Sequence, residues 1–162
     1  MYSVLLIALW SIANSVREEP AWITDYAQAR KLSQTEKKPI AVFVGSGAAG
    51  WNGVSREGQL GKDSGRLLAK SYVSLYLDTT TEEGGRLARA LEMRESRGIV
   101  ISDSQGKLQA FRHEGDLPNE NLTYYLERFS NPDLVVVQTQ TNPPERSYFT
   151  PATSSFTPTR GC

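Results

Sequence analysis

The chain has 162 residues, 18 Lys and Arg against 18 Asp and Glu, and 39% hydrophobic residues. That length suits one domain, and the balanced charge gives no signal for a nucleic-acid partner. One histidine, His113, and one cysteine, Cys162, exclude an internal disulfide, a C-x-x-C pair, a two-histidine metal site and a cysteine-rich zinc site.

Val4 to Ile12, VLLIALWSI, is apolar but shorter than the roughly 20 residues a membrane span needs. Residues 1–15 therefore read in one of two ways. They are a secretory signal, with small residues at Ala13-Asn14-Ser15 for cleavage, or an apolar segment that packs on the domain. Against the first stands the lack of any Lys or Arg before Arg17. Export follows from the first reading and a cytoplasmic location from the second.

Trp22 to Glu36 has helical spacing, with Thr24 or Asp25 as the cap, and Pro39 lies just beyond its end. Ile40 to Val44 is an apolar run that predicts a strand buried on both faces. A glycine-rich loop to Gly53 follows, then a second helix over Ser55 to Lys70, weakened at its start by Gly58, Gly61 and Gly65. Tyr72 to Leu77 predicts the second strand, Glu82 to Met93 the third helix and Gly98 to Ser102 the third strand. Asp103-Ser104-Gln105-Gly106 is a turn, so Lys107 to Arg112 should return antiparallel. Asn119 to Phe129 is the last helix, and Leu134 to Val137 suits a short edge strand. From Thr139 to Cys162 the chain is rich in Thr, Ser and Pro, without apolar periodicity, which predicts a disordered tail. The compact domain is thus expected over 20–131.

The loop poses the functional question. Gly45, Gly47 and Gly50 spell G-x-G-x-x-G after a strand, the context of a dinucleotide-binding loop, and Asp78 closes the next strand where an acid binds ribose. This supports one candidate, a small nucleotide-binding enzyme. Three features oppose it. Asp78 lies 33 residues after Gly45 rather than roughly 20. A helix precedes the first strand, and a hairpin stands where a parallel crossover belongs.

The order helix, strand, helix, strand, helix, hairpin, helix resembles the thioredoxin fold over Trp22 to about Phe129. KKPIAVFVGSG looks like the family's first strand leading to its active-site loop. GIVISDSQGKLQAFRHEG looks like its antiparallel pair of strands, and GDLPNENLTYYLERF like its last helix. The resemblance implies an α/β domain with a central mixed sheet of about four strands and helices on both faces. It also marks departures. The family's C-x-x-C position falls on Ala49-Gly50-Trp51-Asn52, its cis-proline position on Arg97, and its first-strand aspartate on Phe43. Thiol–disulfide exchange needs an attacking and a resolving thiol, and the domain has neither. The resemblance therefore implies a redox-inactive module without a cofactor, binding a protein or peptide. Gly45, Ser46, Gly47, Gly50, Trp51 and Arg97 are its candidate binding residues. His113-Glu114 has no catalytic context, and Cys162 would matter only if the tail presented it to the domain or cross-linked it to a partner.

Overall fold

A computed structural model describes residues 19–141; the apolar N-terminal segment and the tail beyond Thr141 lie outside it. Its sheet has the order β2-β1-β3-β4-β5. The strands are β1 (Ile40–Gly45), β2 (Val73–Asp78), β3 (Gly98–Ser102), β4 (Gln109–Glu114) and β5 (Gln140–Thr141). β1 pairs parallel with β2 and antiparallel with β3, and β3 pairs antiparallel with β4. The helices are α1 (Tyr26–Glu36), α2 (Lys62–Ser71), α3 (Glu82–Ala90) and α4 (Asn119–Phe129). The mixed sheet, with helices on both faces, is the architecture expected; the strand beyond the expected four is the two-residue β5.

The unbroken apolar run of β1 follows from its place in the middle. All six of its residues are buried, because neighbours flank both edges and helices cover both faces. One face carries Phe43, Ile99, Ile101 and Phe111 against Leu68 of α2 and Leu122 and Leu126 of α4. The other carries Val42, Val44, Leu75 and Leu77 against Ala29 of α1 and Ala88 of α3. β3 and α4 have the predicted bounds.

Several boundaries differ from the sequence reading; the third helix, for one, ends at Ala90 rather than Met93. The first helix begins at Tyr26, not Trp22. Ile23 is extended there: its N–H donates to the Ser74 carbonyl (2.9 Å) and its carbonyl accepts from the Tyr76 N–H (2.8 Å). Asp25 is the cap, accepting from the Gln28 N–H at 2.9 Å. The second helix begins at Lys62, not Ser55. Gly50–Val54 form a five-residue 3-10 turn, and the chain then runs extended beside Leu117, with reciprocal 2.8 Å bonds from Arg56 N–H to Leu117 and from Leu117 N–H to Val54. The strand of the hairpin starts at Gln109, not Lys107, because the Asp103 carboxylate accepts the N–H groups of Lys107 (2.8 Å) and Leu108 (3.2 Å). The edge strand is not Leu134 to Val137, where Val135 and Val137 are 81% and 89% exposed. It lies at the start of the expected tail, where Gln140 and Thr141 pair parallel with Phe111 and Arg112.

Candidate functional site

The register places four strand termini together. Gly45 pairs with Asp78 at the ends of β1 and β2. Val44 pairs with Gly98, and Gly98 with Glu114, at the start of β3 and the end of β4. The loops leaving these termini share one end of the sheet, and the 3-10 turn Gly50–Val54 follows the loop from β1.

The glycine loop is closed on itself. A Cβ on Gly45 would stand 2.6 Å from the Gly50 carbonyl carbon, and one on Gly50 would strike the Tyr76 hydroxyl. Gly47, at φ +83°, makes the turn between them. Its carbonyl accepts from the Tyr76 hydroxyl at 2.5 Å, and its N–H donates to the Asp78 carboxylate at 2.9 Å. The exposed Ser46 meets the Thr79 hydroxyl at 3.0 Å. Burial, and then the negative charge of Asp78, push the Tyr76 phenol above its ordinary value.

Asp78 answers the question raised by G-x-G-x-x-G. Its carboxyl is held below the usual carboxylate range, first by the Thr80 hydroxyl and then by the N–H groups of Gly47 and Thr80. It therefore puts a negative charge on a backbone N–H that a pyrophosphate would need. The loop also opens no long helix: the five-residue turn intervenes, and α2 starts 12 residues after Gly50. Gly45 and Gly50 allow close packing and Gly47 the positive-φ turn between them, and nothing in the geometry supports the nucleotide-binding alternative.

Trp51 packs rather than projecting freely. It stacks on Trp22 with ring centroids 5.2 Å apart and meets Tyr76 edge-on at 5.1 Å. Trp22 in turn meets Phe43 at 5.1 Å. Both indoles remain half-buried. Together with Pro20, Leu60 and Lys62 they line an open groove of about 580 Å³. Arg97 is not part of this groove. It is exposed, and its Cδ and Nη1 would lie 3.4 and 3.9 Å from a Cβ on Gly53. The structure therefore joins Gly45, Gly47, Gly50 and Trp51 through Tyr76, leaves Ser46 on the rim, and sets Arg97 beside the other part of the same turn. Sequence reasoning missed Trp22 and Tyr76 as partners of this loop; only their aromatic character pointed to them.

No family model and no curated protein matches the sequence. Solved structures do. A thioredoxin from Thermus thermophilus is 20% identical, with a TM-score of 0.52, over 68% of this chain and 86% of that one. A structure described as DsbH oxidoreductase is 16% identical, with a TM-score of 0.54, over 79% of this chain and 94% of that one.

The chain has the thioredoxin fold.

Within that fold, this thioredoxin-like chain carries no cysteine at Ala49 to Asn52, its one cysteine being Cys162. Arg97 stands before β3, and every peptide bond among the described residues is trans. Phe43 fills the first strand and is fully buried. Among the described residues no group of His, Cys, Asp and Glu has the arrangement of a metal site, and no helix is long and apolar enough to cross a membrane.

Proposed function

We propose that this thioredoxin-like chain is a redox-inactive module that binds a protein or peptide at the end of the sheet formed by the glycine loop and the 3-10 turn. The observation that carries the reading is the substitution of the dithiol position. Ala49, Gly50, Trp51 and Asn52 supply no thiolate, and exchange requires two thiols. What remains there is an open groove floored by two stacked indoles, the kind of surface on which aromatic anchors hold a partner. Trp51 and Arg97 are the contact side chains of the proposed surface. Gly45, Gly47 and Gly50 fix its shape, and Ser46 lies on its rim.

Two measurements test this. The full chain and its Cys162→Ser variant should reduce insulin no faster than dithiothreitol alone; turnover well above that background in the variant overturns redox inactivity. In ¹H–¹⁵N spectra, a neutral acetylated octapeptide Gln-Gln-Pro-Leu-Phe-Pro-Gln-Gln should move the Trp51 and Trp22 indole resonances. Shifts confined to a different face would remove the proposed surface.

A further inference from the structure

We propose that the groove of Trp22 and Trp51 receives the chain's own tail, with Phe156-Thr157-Pro158 seated on the two indoles. The inference rests on the peptide-binding reading above and names a segment that competes for that site.

The tail carries a repeated motif. Phe149-Thr150-Pro151 recurs seven residues later as Phe156-Thr157-Pro158, and no residue from Ser147 to Thr159 is charged. The groove matches this chemistry. Among the described residues of its lining only Glu19 and Lys62 are charged, one of each sign. Its floor is two half-buried indoles with Pro20 and Leu60 beside them. Aromatic-lined grooves dock proline-bearing segments, whose backbone is already partly fixed, and a phenylalanine adds ring contacts with an indole.

The course of the chain directs the tail to this end of the sheet. Gln140 and Thr141 pair parallel with Phe111 and Arg112, and the Thr139 hydroxyl donates to the Gln109 carbonyl at 3.1 Å. β4 runs on to Glu114, which pairs with Gly98 at the end where the glycine loop lies. The residues after Thr141 therefore set out towards that end. From β5 to Ile23, which bridges the outer side of β2, is five strand spacings, or about 24 Å. Pro143 and Pro144 lie two and three residues beyond Thr141 and reach at most about 10 Å. Phe149, eight residues on, spans the distance only when nearly fully extended, at about 26 Å. Phe156 is 15 residues on, and a flexible chain of that length has an r.m.s. reach of about 19–23 Å. Reach that matches the span gives the highest local concentration, so the second copy of the motif is the one placed to dock.

The test compares the full chain with a Phe149→Ala/Phe156→Ala variant. Both substitutions fall beyond Thr141, so the amide resonances of the sheet serve as the control for folding. In ¹H–¹⁵N spectra the Trp22 and Trp51 indole resonances should differ between the two proteins, by an amount independent of protein concentration. Phe156→Ala alone should reproduce more of the difference than Phe149→Ala alone. At a local concentration of about 1 mM, a motif with a Kd of about 0.3 mM is docked roughly three-quarters of the time. The neutral octapeptide should then bind the double variant about fourfold more tightly than the parent. Indole resonances that coincide in the two proteins, with equal octapeptide affinity, overturn the tail as occupant while peptide binding itself stands. A difference that grows with protein concentration assigns the groove to the tail of a second copy and overturns docking within one chain. Indoles that respond neither to the tail substitutions nor to the octapeptide overturn both readings.

Discussion

Gly45→Ala tests whether the glycine loop is a packing device. The new Cβ would lie 2.6 Å from the Gly50 carbonyl carbon and 3.0 Å from its Cα, and closer still to the carbonyl oxygen. Carbon–carbon contacts are comfortable near 3.5–4.0 Å, so the start of the 3-10 turn must move by about 1 Å. It is not free to do so. The Tyr76 hydroxyl abuts Gly50, the Gly50 N–H donates to the Gly47 carbonyl at 3.2 Å, and Gly47 is tied to Tyr76 and Asp78. Overpacking of this kind costs about 1–3 kcal/mol, and loss of one loop hydrogen bond about 1 kcal/mol more. The expected destabilisation is about 3 kcal/mol, which for a chain of this size lowers Tm by roughly 6–12 °C. Gly47→Ala provides the internal comparison. Its Cβ would meet nothing within 4 Å, so it should cost only the left-handed backbone penalty, about 1–2 kcal/mol. Urea unfolding followed by circular dichroism measures both. A Gly45→Ala protein within 0.5 kcal/mol, roughly, of the parent, or less perturbed than Gly47→Ala, would refute the reasoning.

Three other outcomes are expected. Tyr72→Phe should destabilise by about 1–2 kcal/mol in the same urea assay, because the buried hydroxyl donates to the Leu126 carbonyl at 2.6 Å and joins the connection between α2 and β2 to α4; an unchanged midpoint would show that this bond contributes nothing net. Asp25→Ala should remove the α1 cap and cost about 1 kcal/mol, whereas Asp25→Ser should restore most of it. Asp78 and Asp116 both titrate below the ordinary carboxylate value, held there by Thr80 and by Arg56 respectively. Their stabilisation is therefore complete above the unfolded-chain value near 3.9, roughly, and is lost as the pH falls through the lower folded values. NMR titration of the carboxyl carbons should show Asp116, but not Asp78, rising in Arg56→Ala.

The sequence by itself determined the elements whose signals are local. The apolar runs of β1 and β3 and the leucine spacing of α4 appear in the structure at or within a residue of their predicted bounds, because burial and helical periodicity are written in neighbouring residues. It also determined that no dithiol exists near the loop, since the only cysteine is Cys162. Tertiary structure decided what depends on partners far along the chain. Ile23 is extended because β2 offers Ser74 and Tyr76, about fifty residues away, and Ser55 is extended because Leu117 lies beside it. The glycines carried the letters of a phosphate loop, and only the positions of Tyr76 and Asp78 showed that the loop packs on itself. Trp51 was legible as a candidate, but its stacking on Trp22 was not, because Trp22 fitted a helical pattern that the competing sheet hydrogen bonds overrode. Arg97 was legible by its place before β3; that its side chain lies exposed beside Gly53, outside the groove of Trp22 and Trp51, became visible only in the packed structure. Local periodicity specifies which segments fold into strands and helices, whereas hydrogen-bond and charge partners are fixed by the packing that brings distant segments together.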